Sequence, residues 1–181
     1  MPAKKSRKTK NKPARADWRR IRLFAMDVDG ILTDGSVHVA SDGTETKTFH
    51  IPDGAGLHYL RWAGVATAWI SGRASDATTI RAAELKIPRV IQGKDDKLGE
   101  LRKIAAQLNL EAAEIVYMGD DIFDAPAIKW AGIGVTVPAA LPAALAAADV
   151  VTKNHGGRGA VREICDRILA AQGKDPLNFQ M

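Results

Sequence analysis

Two aspartates one residue apart, Asp27 and Asp29, follow an apolar run, and Asp120, Asp121 and Asp124 follow another. Between them come Ser71-Gly72-Arg73 and a lysine, Lys97, that closes the polar stretch Gln92-Gly93-Lys94-Asp95-Asp96-Lys97. Carboxylates about 4 Å apart repel by roughly 4 kcal/mol at an effective dielectric near 20, so five converging aspartates require a cation or protonation. No His or Cys lies near them, and all-oxygen ligation favours a hard divalent ion. Mg²⁺ is the expected cofactor because it accepts one or two carboxylates together with phosphate oxygens and water. Arg73 is a candidate contact for a substrate anion and equally a surface arginine on the helix behind it. Each feature alone is ordinary: an Asp-x-Asp pair caps turns, and a lone lysine is solvated. The four in this order carry the specificity.

The elements that must position these residues alternate. Short β-like runs occupy 21–27, 65–70, 89–91, 115–118, 132–135 and 150–152, with helical stretches near 56–62, 75–85, 97–108, 124–129, 141–147 and 158–171. Strand then helix, repeated, predicts an α/β fold with a parallel sheet flanked by helices. Ligands in such sheets sit beyond the carboxyl ends of the strands, which is where the four polar clusters fall. One segment breaks the alternation: 36–40 and 45–49 flank Ser41-Asp42-Gly43-Thr44, a β-hairpin signature that should project above the end of the first strand. Gly156-Gly157-Arg158-Gly159 before the last helix reads either as an anion-binding helix N-terminus or as a plain glycine-rich start, the latter being preferred.

A chain of 181 residues with 46% hydrophobic and 26% charged residues suits one globular domain over 21–171. A single cysteine, Cys165, excludes an internal disulfide and a cysteine-based zinc site. No apolar run approaches the roughly 20 residues that span a bilayer, and the basic N-terminus lacks an apolar signal core, so a soluble cytoplasmic protein with no membrane partner is expected. The formal charge of +5 is concentrated at the start, where residues 1–22 hold ten Lys or Arg against Asp17 alone. A basic tail over 1–20 is expected to be disordered. A solubilising role is preferred for it over an RNA- or membrane-binding arm, so nucleic acid is not the expected partner. The tail 172–181 is too short and broken to belong to the core.

The set of motifs resembles the haloacid dehalogenase (HAD) superfamily, over about 21–171. Asp27-Val28-Asp29-Gly30-Ile31-Leu32-Thr33-Asp34-Gly35 is similar to its first motif, Ser71-Gly72-Arg73 to the second, Lys97 to the third and Gly119-Asp120-Asp121-Ile122-Phe123-Asp124 to the fourth. The resemblance implies a Rossmann-like HAD fold and Mg²⁺-dependent phosphomonoester hydrolysis. Asp27 would then be the nucleophile that forms an aspartyl phosphate, and Asp29 the acid and base. It further implies metal ligation by the Asp27 side chain, the Asp29 carbonyl and Asp120, with Asp121 and Asp124 behind them. Ser71, the Gly72 amide and Lys97 would hold the phosphoryl oxygens, and Thr33 would contact substrate beside Arg73.

No segment is long enough for a cap domain, and the capless subgroup that the chain resembles is the 3-deoxy-D-manno-octulosonate 8-phosphate phosphatases of lipopolysaccharide precursor synthesis. Asp53-Gly54-Ala55-Gly56-Leu57, Gln92-Gly93 with Asp96-Lys97-Leu98, and Gly156-Gly157-Arg158-Gly159-Ala160-Val161-Arg162-Glu163 carry that likeness. It implies a homotetramer with hairpins packed together, shared active sites and C-terminal tails that reach a neighbouring site. A sugar-acid phosphate has two anionic ends, so a second cation is expected from Arg61, Arg73 or Arg158. His58 stands where many relatives carry Arg or Lys, which leaves a phosphatase for a nine-carbon ulosonate 9-phosphate as the enzymatic alternative. A non-catalytic regulatory or binding module and a phosphatase for nucleic-acid ends are alternatives of other classes.

Overall fold

The computed structural model describes residues 17–178. Most of the expected disordered tail, together with residues 179–181, lies outside them. Residues 17–20, which the sequence reading placed in that tail, instead form a 3-10 turn, Trp18–Arg20. The Trp18 ring anchors it by receiving the Arg167 guanidinium at 4.2 Å.

Six strands form one parallel sheet: β1 Leu23–Met26, β4 Ala66–Ile70, β5 Val90–Ile91, β6 Ile115–Met118, β7 Ile133–Thr136 and β8 Val150–Val151. They lie in the order β5-β4-β1-β6-β7-β8. Between β1 and β4 run two hairpin strands, β2 His38–Val39 and β3 Glu45–Thr46, and the helix α1 Ile51–Trp62. The remaining crossovers are α2 Asp76–Glu84, α3 Lys97–Gln107, α4 Ala125–Trp130 and α5 Pro142–Ala147, and α6 Ala160–Ala171 closes the fold. Every residue of β1 is buried, as expected of a central strand covered on both faces. Phe24, Trp69 and Tyr117 are the large side chains at the core.

Strand order reverses at β1, because β4 and β5 extend the sheet to one side before β6 returns to the other. Register puts Met26 opposite both Trp69 and Met118. The chain therefore leaves three neighbouring strands at the same edge, with Asp27, Ser71 and Gly119-Asp120 just beyond it.

Most elements differ from the sequence reading by a residue or two at their ends, β1 at Leu23–Met26 against 21–27 among them, and three of the differences have a structural cause. Helix α1 starts at Ile51 rather than 56, since Pro52 sits in the first turn, where its missing N–H costs nothing. Gly54 and Gly56, weak helix formers, hid that start. The hairpin pairs only His38 with Thr46 and Val39 with Glu45, less than the expected 36–40 and 45–49. Beyond Thr46 the chain turns inward, and the Phe49 ring stacks on Trp69 at 6.5 Å. The last helix begins at Ala160, because the glycines before it serve another purpose described below.

Helices α1 and α6 pack together, α6 presenting Val161, Ile164, Cys165, Ile168 and Leu169 at helical spacing. Asp53 of α1, 1% exposed, accepts N–H bonds from Gly159 at 3.1 Å and Arg162 at 2.7 Å. The positive end of α6 is thus met from within the protein, which supports the reading of the glycines before it as a structural helix start. The beginning of the C-terminal tail is tied down as well: the Gln172 amide donates to the Ile21 carbonyl at 2.7 Å and Lys174 donates to the Ala63 carbonyl. Among the described residues no helix is long and apolar enough to cross a membrane. Asp53→Ala removes both bonds to the α6 terminus and should lower unfolding free energy by about 2 kcal/mol in urea titration. A loss under about 0.5 kcal/mol would show that α6 is held by packing alone.

Candidate active site

At the carboxyl edge of β1, the Asp27 carboxylate is fixed at both oxygens. Oδ1 accepts the Val28 N–H at 2.7 Å, and Oδ2 pairs with the Lys97 ammonium at 2.7 Å. Lys97, at the first position of α3, is 4% exposed and donates equally to Asp124 Oδ1 at 2.8 Å. Burial opposes the Lys97 charge, but the Asp27 and Asp124 carboxylates outweigh it and hold its pKa above the ordinary lysine value.

Asp124, fully buried, is saturated. Its Oδ1 also takes the Tyr117 hydroxyl at 2.7 Å, and its Oδ2 accepts the N–H groups of Asp120 and Asp121 at 3.2 and 3.1 Å. These bonds hold the loop after β6 in place. Asp120 differs: its Oδ1 is buried with no hydrogen-bond partner. Burial first, and the facing Asp124 carboxylate second, push Asp120 up to about 7. Asp27 is pushed upward by burial and by Asp124, against the pull of Lys97 and the Val28 N–H.

These observations decide whether the residues suit a divalent cation. Asp27, Asp120 and Asp124 each bring a carboxylate oxygen within 4.8 Å of the others, and Lys97 alone opposes three negative charges. An orphaned buried carboxylate oxygen among hard oxygen donors is where Mg²⁺ binds. Gly30 keeps the space: at φ +82° it occupies the left-handed region, and a Cβ there would lie 2.1 Å from Asp120 Oδ2. The Asp27 and Asp120 carboxylates, with Asp124 behind them, fit such an ion. The Asp29 side chain does not join the cluster.

Asp27, Asp29, Ser71, Gly72, Arg73, Lys97, Asp120 and Asp121 line one open cavity of about 420 Å³, which brings together nearly all of the residues singled out from the sequence. Ser71 is 1% exposed, and its hydroxyl bridges the Arg73 N–H and carbonyl, shaping the turn after β4. An adjoining cavity of about 440 Å³ shares Gly30, Gly35 and Asp120 and is lined on its far side by His155 and Arg158. Arg61 lines neither cavity.

Thr33 requires a correction. It is completely buried and lines neither cavity, while its hydroxyl accepts the Gly30 and Gly35 N–H groups at 3.4 and 3.2 Å. It holds the loop in shape instead of touching substrate. Behind that loop, Gly157 donates to the Ile31 carbonyl at 2.9 Å, and a Cβ on Gly156 would lie 1.8 Å from the Gly30 oxygen. The Gly156-Gly157 pair thus allows one backbone to lie directly against another.

The haloacid dehalogenase-like hydrolase family model matches residues 66–164. The 3-deoxy-D-manno-octulosonate 8-phosphate phosphatase KdsC of Escherichia coli strain K12 is 39% identical over 154 residues, 85% of this chain and 82% of that protein. The chain belongs to the 3-deoxy-D-manno-octulosonate 8-phosphate phosphatase family of haloacid dehalogenase-like hydrolases. Among solved structures, the Moraxella catarrhalis phosphatase of that name, in complex with magnesium ion, phosphate ion and a KDO molecule, is 46% identical with a TM-score of 0.85, covering 87% of this chain and 90% of its own. The cobalt-bound Haemophilus influenzae enzyme is 38% identical with a TM-score of 0.83, covering 87% and 92%. Both the fold and the family expected from the sequence are borne out.

Sequence reasoning missed three residues around this family's site. Tyr117 sits inside an apolar strand, and only the need of a buried hydroxyl for a partner marks it. Glu45 and Lys47, two apart in the hairpin, share a face. Glu45 accepts from Arg73 and, at 2.7 Å, from the Ser75 hydroxyl, and these bonds lower it to about 2. Lys47 donates to Asp29 Oδ1 at 2.6 Å.

Because Asp27 and Asp120 are raised in the fold, the cation-free folded state keeps protons that the unfolded chain releases near its ordinary carboxyl value of 3.8. Its stability therefore falls as pH rises from about 4 to about 7, and that contribution is gone above about 7. Added Mg²⁺ should raise the melting temperature more at about pH 8 than at about pH 5.5, and the gain should vanish in Asp120→Asn. Equal gains at both pH values in a thermal melt would contradict this ligand set.

Proposed function

We propose that this chain hydrolyses 3-deoxy-D-manno-octulosonate 8-phosphate to 3-deoxy-D-manno-octulosonate and phosphate, a step in lipopolysaccharide precursor synthesis. The observation that carries the reading is the Asp27 carboxylate, pinned at the strand end beside Lys97 and the unpartnered Asp120 oxygen. The M. catarrhalis relative holding magnesium, phosphate and KDO supports the same chemistry.

Asp27 attacks phosphorus as its bond to the sugar oxygen breaks, giving an aspartyl phosphate. Asp29 gives a proton to the departing sugar oxygen. A water then attacks phosphorus, Asp29 takes its proton, and the bond between phosphorus and Asp27 breaks to release phosphate. Mg²⁺, held by Asp27, Asp120 and the Asp29 carbonyl, supplies positive charge that offsets the repulsion between an anionic nucleophile and an anionic ester. Lys97, the Gly72 amide and Ser71 would hold the remaining phosphoryl oxygens, as the family resemblance implies. Asp121 lines the same cavity, where it can orient water.

The sugar acid brings a second negative end. Arg73 stands at the rim of the first cavity and Arg158, 72% exposed, on the second, so a substrate extending across Gly30 and Gly35 reaches Arg158. The reading includes a cytoplasmic homotetramer with shared sites, as the family resemblance implies. Exposed Val39, Ile51 and Ile80, at 66, 70 and 69%, support burial of apolar surface against further copies.

A phosphate-release panel containing this substrate and a nine-carbon ulosonate 9-phosphate tests the assignment. The eight-carbon ester should turn over best, only with divalent cation, and Asp27→Asn should lower kcat by about 10³-fold or more. Preference for the nine-carbon ester would move the substrate, and full activity in Asp27→Asn would remove the mechanism.

A further inference from the structure

The hairpin contributes a lysine that the reaction as described does not use. Lys47 follows β3, its side chain has no solvent exposure, and its ammonium meets one carboxylate, Asp29, at 2.6 Å. Its other polar neighbour is the Thr78 hydroxyl, at 3.4 Å. An ammonium removed from water at such cost needs its partner held close, and the partner is the group that must move protons in the site.

The restraint is directional. Lys47 occupies Oδ1 of Asp29 and leaves Oδ2, which takes no hydrogen bond from the described residues, to serve a substrate in the cavity that Asp29 lines. Two residues earlier on the same strand face, Glu45 grips Arg73 and Ser75. The hairpin is thus tied at two places to residues that line the cavity or adjoin it, and the Lys47 contact cannot swing with a loose loop.

We propose that Lys47 is a positioning residue for this reaction: it fixes the Asp29 carboxyl group so that its free oxygen faces the leaving-group oxygen. The inference rests on the reading of Asp29 as the proton donor. In the step concerned, the bond between phosphorus and the sugar oxygen breaks, its electron pair goes to that oxygen, and the Asp29 proton joins it. Lys47 gains and loses nothing. On kcat/KM, which reads the steps up to departure of the leaving group, its effect is confined to esters whose leaving group needs that proton.

Comparing kcat/KM for the sugar phosphate and for p-nitrophenyl phosphate, whose aryloxide departs unaided, separates positioning from general support. Lys47→Met should lose about thirtyfold or more on the sugar phosphate and less than about threefold on the aryl ester. Asp29→Asn should show the same selectivity, more strongly. If Asp29→Asn weakens both esters equally, the proton-donor reading fails whatever Lys47 does. If Asp29→Asn is selective while Lys47→Met leaves both esters unchanged or lowers both alike, the proposal is overturned. Lys47→Gln, which keeps a donor, replaces the Met variant should that one not fold. Failure of both to fold assigns Lys47 to the scaffold and equally overturns it.

Discussion

Three buried or half-buried carboxylates around one ammonium are the constraint on which the site depends. Lys97 cannot neutralise Asp27, Asp120 and Asp124 together, and the fold does not relieve the excess by hydrogen-bonding every oxygen. It spends its donors unevenly: Asp124 receives the Tyr117 hydroxyl and two backbone N–H groups, while Asp120 Oδ1 receives none. The uneven supply separates roles. A satisfied carboxylate is a bracket, whereas an unsatisfied one beside a nucleophile waits for a cation, and the cation in turn makes room for a phosphate ester.

Holding that imbalance needs a rigid frame, and the parallel sheet provides it. Adjacent strand ends in fixed register put Asp27 and Asp120 next to each other without any long side chain reaching across. The loop that follows Asp27 is compressed from two sides. Gly30 yields to Asp120, and Gly156-Gly157 yields to the backbone of Gly30 and Thr33. Thr33 and Asp53 work from behind, one closing the loop with its hydroxyl and the other capping the helix that carries the glycine pair into place. Substitutions at Thr33, Asp53 and Gly157 act on the site from positions that line neither cavity.

Motif and strand-end logic was enough to read the sheet and the gathering of the carboxylates at one edge from the chain alone, because parallel strands buried on both faces advertise themselves as short apolar runs with polar residues at one end. Less visible was anything that depends on a tertiary partner. The first turns of α1 looked like a loop, since Pro52, Gly54 and Gly56 weaken local helix preference and only packing against α6 restores it. Thr33 looked like a substrate ligand because its place in the motif says nothing of its direction. Lys47 passed as one hairpin residue among others, for its partner lies 18 residues away across a turn.

The most direct test of the central claim is a crystal structure of the Mn²⁺-soaked protein with an anomalous difference map. A single peak between Asp27 and Asp120, shared with the Asp29 carbonyl and absent in Asp120→Asn, is the predicted result. A map that is empty at that position, or a peak held by other residues, would contradict the account.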